Sequence, residues 1–223
     1  MAERGVLYIV WGSYDAKVLE RSRRSLAAVH PELPVEVAEL APESTLLDKA
    51  RMLELTPFDE TLFLDADTVV LDDLSYGFDQ ARRFGLACSI CECPWARRYG
   101  GLSGDIVEYN TGVLFFTPRA ETVFGAWKDC AAEIDSSIVF YNGDTMARMP
   151  LNDQAGFAKA VDDTGFRPFV LPYNWNFRPQ WHKSWFGPIK IWHDYADVPG
   201  DLLGHNAEQA APDSIVRLSV LRD

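Results

Sequence analysis

The stretch Leu62-Phe63-Leu64-Asp65-Ala66-Asp67-Thr68-Val69-Val70 sets two carboxylates, one residue apart, inside an otherwise apolar run. Thr61 to Leu64 has the length and composition of a short buried strand, so the acids fall at its carboxyl end. Upstream, Pro57 stops a helix over Ser44 to Leu55, along which Leu47, Ala50 and Leu53 recur. Val35 to Leu40 alternates apolar and acidic residues, as a half-buried strand does. Pro31 and Pro34 end a helix that Asp15 caps; Val18, Ser22, Leu26 and Val29 share one face, and Arg21 and Arg24 lie elsewhere. Gly5 to Trp11 is a continuous apolar run and reads as another buried strand. Strand, helix, strand, helix, strand is the pattern of an α/β domain with a mainly parallel central sheet flanked by helices.

Downstream, Ala87 to Ile90 and Gly112 to Thr117 read as strands, Ala120 to Ile134 and Asp153 to Asp163 as helices. Trp175, Trp181, Trp185 and Trp192 fall between Arg167 and the end of a strand over Ile189 to Trp192, among four prolines. That segment is too irregular for one element, and we expect an aromatic-rich loop packed over the sheet. We expect one domain over residues 1–223, with a sheet core to about residue 164 and an aromatic-rich closing segment from about 165.

The 223 residues suffice to bury about 70% of the unfolded surface without a staple. Apolar residues at 48% and charged residues at 24% exclude a disordered chain or a coiled coil. Twenty-one basic against 33 acidic residues give a net charge of −12, which repels nucleic acid and anionic membranes alike. No apolar stretch is long enough for a membrane span, and Met1 to Gly5 has no signal-peptide pattern, so a cytoplasmic protein is expected. Cys88, Cys91, Cys93 and Cys130 match no standard zinc spacing and read as thiols of a buried strand. His30 and His205 read as ordinary surface residues.

The chemistry concentrates at Asp65 and Asp67. In an extended chain their side chains point the same way, and two close carboxylates repel unless a cation lies between them. The ends of strands are where open α/β sheets bind ligands, and oxygen ligands suit Mn²⁺ or Mg²⁺. The bland alternative, a solvated acidic turn, fits Asp72 and Asp73 better, which read as caps before Leu74.

Lys49-Ala50-Arg51-Met52-Leu53 followed by the strand into Asp65-Ala66-Asp67-Thr68 resembles the core of GT-A glycosyltransferases, family 8 above all, the glycogenin and bacterial galactosyltransferase type. Tyr109-Asn110-Thr111-Gly112, Asn152-Asp153-Gln154 and the late His193 resemble further motifs of that family, in the same order. The resemblance implies a GT-A (Rossmann-like) nucleotide-diphospho-sugar transferase fold and transfer of a hexose, with retention, from a nucleotide sugar to a carbohydrate or other hydroxyl acceptor. UDP is the favoured nucleotide. It implies that Asp65, Asp67 and His193 hold Mn²⁺ or Mg²⁺, and that Val10, Tyr14, Lys49, Ala66, Asn110 and Thr111 join the two acids in binding the donor. It implies Asp153 and Gln154 as the catalytic pair beside the sugar. Family members carry a lysine shortly after the histidine; here Asp194-Tyr195-Ala196-Asp197-Val198-Pro199-Gly200 follows instead. Trp181 and Trp185, flanked by Gln180, His182 and Lys183, are the candidate acceptor platforms, and Trp192 is a core residue. Two rival readings stay open: a haloacid-dehalogenase-like phosphohydrolase with Asp65 as nucleophile, from the D-x-D-x-T pattern, and a non-catalytic nucleotide- or sugar-binding protein of the same fold.

Overall fold

The computed structural model describes residues 3–92, 103, 105–134, 138–142, 144–149, 152–210 and 218–221. Its centre is a six-stranded sheet in the order β2-β1-β3-β6-β5-β9. These strands are β1 (Arg4–Val10), β2 (Val35–Glu39), β3 (Glu60–Leu64), β5 (Leu86–Ile90), β6 (Tyr109–Phe116) and β9 (Phe169–Leu171). β1 pairs parallel with β2 and β3, and β5 with β9; β6 alone runs against its neighbours β3 and β5.

Strand alternation divides the core in two. Leu7, Ile9, Phe63, Leu114 and Phe116 face one side, against α4 (Glu121–Ala131) and α5 (Gln154–Thr164). Val6, Tyr8, Leu62, Leu64, Val113 and Phe115 face the other, against α1 (Ala16–Val29) and α3 (Ser75–Phe84). Helices thus cover both faces, and the middle strands β1, β3 and β6 are buried apart from Arg4 at the start of β1, as the uninterrupted apolar runs require.

Several expectations change in detail. The segment expected to be one helix from Ser44 winds as a 3₁₀ helix over Leu46–Arg51 before a single α turn, α2 (Met52–Leu55). Thr45 and Asp48 close a capping box at its start, and the tight turn carries Lys49 and Ala50 inward. The helix α3 follows Asp72 and Asp73, which were expected to be helix or turn caps; a Cβ at its Gly77 would lie 2.5 Å from the Phe115 ring, so the glycine is what lets α3 close on the sheet. His30 is buried rather than exposed, and its Nε2 accepts the Leu74 backbone N–H at 2.9 Å. His205 is half-buried, edge-on to Trp185. Cys88, Cys91 and Cys130 are separate buried thiols; Cys93 falls outside the described residues. Among the described residues, no helix is long and apolar enough to cross a membrane.

The aromatic segment is ordered, not a loop draped on the sheet. It supplies β9, then β10 (Ser184–Phe186) and β11 (Ile191–His193), numbered after β7 (Ile138–Asn142) and β8 (Thr145–Met149), which pair with each other. Phe177, Trp185, Ile189 and Trp192 make a third core with Val69 and Leu202. β11 lies antiparallel to β4 (Thr68–Val70), so Trp192 pairs with Val69 and His193 with Thr68. The strand runs Ile191–His193 rather than the expected Ile189 to Trp192, and His193 is its last residue. This pairing folds the C-terminal part of the chain back onto the two aspartates.

Candidate functional site

Asp65 and Asp67 do not lie on an extended strand. Asp65, Ala66, Asp67 and Thr68 form a turn between β3 and β4, closed by the Thr68 N–H on the Asp65 carbonyl at 3.2 Å. The carboxylates converge because the chain wraps around, not by alternation. The Thr68 hydroxyl donates to that same carbonyl at 2.8 Å, so its oxygen accepts from Ser22 at 3.0 Å, and Ser22 in turn accepts from Tyr8 at 2.9 Å. Burial pushes the Tyr8 hydroxyl up to about 12, so it keeps the proton it donates. This buried chain of hydroxyls ties the turn to β1 and α1.

His193 faces the turn, with Nε2 3.3 Å from Asp67 Oδ1 and 3.9 Å from Asp65 Oδ2. Its ring orientation follows from a series of amides. The Gly112 backbone N–H donates to Asn110 Oδ1 at 2.9 Å, which identifies that atom as oxygen. Asn176 Nδ2 donates to the same oxygen at 2.7 Å, which leaves Asn176 Oδ1 to face His193 Nδ1, also at 2.7 Å. Nδ1 therefore carries a proton, and Nε2 is the atom turned to the two carboxylates. Something positive must lie between them, a proton on Nε2 or a metal ion. Ligand atoms of Asp65, Asp67 and His193 all lie within 4.8 Å of one another, the one such group among the described residues. Two carboxylates and an imidazole with a fixed tautomer suit Mn²⁺ or Mg²⁺.

Gly112 makes the convergence possible. A Cβ there would lie 2.4 Å from His193 Cε1 and 2.6 Å from Asp65 Oδ2. Gly112→Ala is therefore expected to displace one of these ligands and lower Mn²⁺ affinity by about tenfold or more, with little change in melting temperature. Calorimetric Mn²⁺ titration beside a thermal melt checks this; unchanged affinity would refute it.

Lys49 lies beneath the acids, 2% exposed, with Nζ 3.0 Å from Asp65 Oδ1 and 3.4 Å from Asp153 Oδ2. Burial alone would lower its ammonium; the charges of Asp153 and Asp65 more than offset this and hold it above its ordinary value. Burial pushes the Asp65 carboxyl up, and the pull of Lys49 and His193 does not fully reverse it. Burial acts the same way on Asp67, but the charge and hydrogen bond of His193 outweigh it and hold that carboxyl low. Asp153 also accepts from the Thr111 hydroxyl at 2.6 Å. Although it precedes α5, its side chain caps nothing: Asn152 Oδ1 accepts the Gln154 N–H at 2.8 Å and leaves Asp153 free for Lys49.

Lys49, Asp65, Asp67, Asn110, Thr111, Asp153 and His193 are thus drawn into one cluster at the carboxyl ends of β3 and β11 and the amino end of the reversed β6. Other expectations fit less well. Val10 is buried at the end of β1, and its carbonyl accepts the Leu40 N–H at 2.8 Å, so its side chain offers no surface to a ligand. Gln154 is buried, and its amide donates to Cys91 Sγ at 3.4 Å. Trp185 is 2% exposed, packed edge-on to Phe177, and so is a core residue rather than an acceptor platform. Trp181 is 44% exposed, with the Arg178 guanidinium over its ring. Tyr14 and Ala66 are exposed and half-buried, respectively. Asp72 pairs with Lys190 at 2.7 Å; Asp73 accepts the Ser75 N–H at 3.3 Å, but the N-cap of α3 is Leu74, which has no side-chain cap bond. Asn176 was not anticipated: an asparagine among aromatic residues carries no spacing signal.

No protein-family model matches the sequence, and no curated protein does. Solved structures do. The galactosyltransferase LgtC, in complex with donor and acceptor sugar analogs, superimposes with a TM-score of 0.56 at 14% identity, over 92% of this chain and 95% of that one. Mouse xyloside xylosyltransferase 1, in its apo form, gives 0.56 at 13% identity, over 88% of this chain and 100% of that one. The glycosyltransferase GlyE of Streptococcus pneumoniae TIGR4 gives 0.55 at 13% identity, over 97% of this chain and 58% of that one. At such identities the likeness speaks for architecture, and the architecture is that of the GT-A glycosyltransferases.

Proposed function

We propose that this chain is a metal-dependent glycosyltransferase that moves a hexose, with retention, from a nucleotide diphosphate sugar to a hydroxyl acceptor. The UDP-sugar is the favoured donor and a carbohydrate the favoured acceptor. The observation that carries the reading is the convergence of Asp65, Asp67 and His193, with Nε2 turned to both carboxylates, at the strand ends of a GT-A sheet. A phosphohydrolase with Asp65 as nucleophile is not favoured, because the sheet is that of glycosyltransferases.

A bound Mn²⁺ or Mg²⁺ would supply Lewis-acid stabilisation of the departing diphosphate, which a chain of net charge −12 otherwise repels. Asp65, Asp67 and His193 would hold it. Lys49 is too buried to grip the diphosphate itself; its part is to hold the Asp65 and Asp153 carboxylates in place. Asp153, fixed by Lys49 and Thr111, is the carboxylate that would steady the positive charge developing on the donor sugar, as in glycoside hydrolysis. Gln154, beside it, would orient the sugar. Trp181 would offer its exposed face to the apolar side of an acceptor ring.

Calorimetric titration with UDP, GDP and ADP, each with Mn²⁺ and again with EDTA, tests this. One nucleotide is expected to bind with Mn²⁺ and to be lost with EDTA. A folded protein that binds none of the three would overturn the reading.

A further inference from the structure

α1 does more than cover the sheet. Arg21 was expected off its apolar face, yet its side chain is only 22% exposed. Its guanidinium gathers three successive backbone carbonyls from the loop that follows His193. Nη2 donates to the Asp194 carbonyl at 2.6 Å, and Nη1 to those of Tyr195 at 2.8 Å and Ala196 at 3.1 Å. Asp197 Oδ1 lies 3.5 Å from Nη1. The loop is tied to the metal turn as well, because the Asp194 N–H donates to the Asp67 carbonyl at 3.0 Å. It is tied to the third core through Trp192, whose indole N–H donates to the Ala196 carbonyl at 3.2 Å.

Two residues of the same helix turn hold the other limb. Ser22 donates to the Thr68 hydroxyl at 3.0 Å, and Ser25 Oγ accepts the Val70 N–H at 2.9 Å. One turn of α1 thus grips the chain just after Asp67 and the chain just after His193. The two limbs come from distant parts of the sequence, and a ligand set split between them keeps its spacing only if both are fixed to a common body.

We propose that Arg21 is a positioning residue for the metal site: by clamping residues 194–197 to α1 it holds His193 at coordinating distance from Asp65 and Asp67 before any ion arrives. The inference rests on the functional reading given above. It explains why the position is arginine. A planar fork of N–H donors serves several carbonyls at once, whereas a lysine ammonium at the end of a flexible stem does not hold them in one plane. In this chain the loop carries no lysine of its own, only Asp194 and Asp197 as charged residues, so the nearby cation comes from α1.

The test compares the intact chain with Arg21→Ala, Arg21→Lys and Arg24→Ala, the last removing the same charge from the same helix where, among the described residues, the side chain pairs only with Glu20. Three readouts are taken without donor or acceptor: Mn²⁺ affinity by calorimetry, amide hydrogen exchange over residues 194–197, and melting temperature. Arg21→Ala is expected to weaken Mn²⁺ binding by about tenfold or more, the usual scale for losing a group that orients a ligand, and to raise exchange in the loop. Arg21→Lys is expected to recover little, and Arg24→Ala to match the wild type. Wild-type Mn²⁺ affinity in Arg21→Ala overturns the inference, whether or not loop exchange rises. A merely structural clamp would move melting and exchange alone. A wild-type chain that binds no Mn²⁺ overturns instead the functional reading on which this rests.

Discussion

Replacing Asp65 and Asp67 together by asparagine is expected to lower Mn²⁺-dependent nucleotide binding by at least about a hundredfold, below calorimetric detection. Asparagine keeps the shape of the turn, because its closing bonds run through the Asp65 carbonyl and Thr68 rather than the carboxylates. What it removes is negative charge and anionic oxygen, two of the three side chains in the cluster that could hold a metal ion. An amide oxygen is a far poorer ligand for a hard divalent ion, and the remaining imidazole alone is a weak site. Circular dichroism of the double variant should match the wild type. Retained Mn²⁺-dependent binding in a folded double variant would show that the nucleotide site lies elsewhere.

The largest loss of stability is expected from Lys49→Met. The methionine fills much of the same volume, so packing is nearly kept and the effect isolates the charge. It leaves Asp65 and Asp153 facing each other across a buried space without their shared cation. Breaking a buried pair by removing one partner costs about 3–5 kcal/mol, because the other charge stays buried and unpaired. In a chain of this size that corresponds to a fall in melting temperature of roughly 10 °C. Adding Asp153→Asn removes one of the stranded charges and is expected to restore part of the loss, a coupling that a double-mutant cycle measures. A shift of less than about 2 °C for Lys49→Met would mean that the buried ion pairs contribute little.

Much of the sheet could be read directly from residue patterns. β1 and β3 are apolar runs of strand length, and α1 carries a capping aspartate and a spaced apolar face. The aspartates stood out for the same reason, as charges set within such a run. The geometry that joins them did not. The turn over Asp65 to Thr68 looks extended in sequence, because nothing in Asp-Ala-Asp-Thr demands a turn. β4 and β11 have three residues each, too few to show a period, so the pairing that brings His193 back to the acids left no trace in the pattern. Arg21 and Asn176 were invisible for a different reason. Arg21 works through a loop that begins 173 residues away and Asn176 links His193 to Asn110, 66 residues away, and their identity shows only that they are polar. Trp185 misled because a large aromatic residue among polar neighbours reads as exposed, whereas three-residue strands turn single side chains inward regardless of their neighbours.

The lone reversed strand, β6, has a bearing on the order in which the molecule folds. It stands between β2-β1-β3 and β5-β9 in the strand order of the sheet. Its pairing with β3 joins Thr61 to Phe116, and the pairing of β5 with β9 joins Ala87 to Phe169, a longer loop still, so β5 and β6 are expected to pair early and β9 to join late. Asn110, Thr111 and Gly112 ride on β6 itself, while His193 arrives only after β11 has found β4. A nascent or partly folded chain would therefore hold the aspartates without the histidine that completes them. Recovery of Mn²⁺ affinity is therefore expected late in refolding, which makes it a reporter of completion.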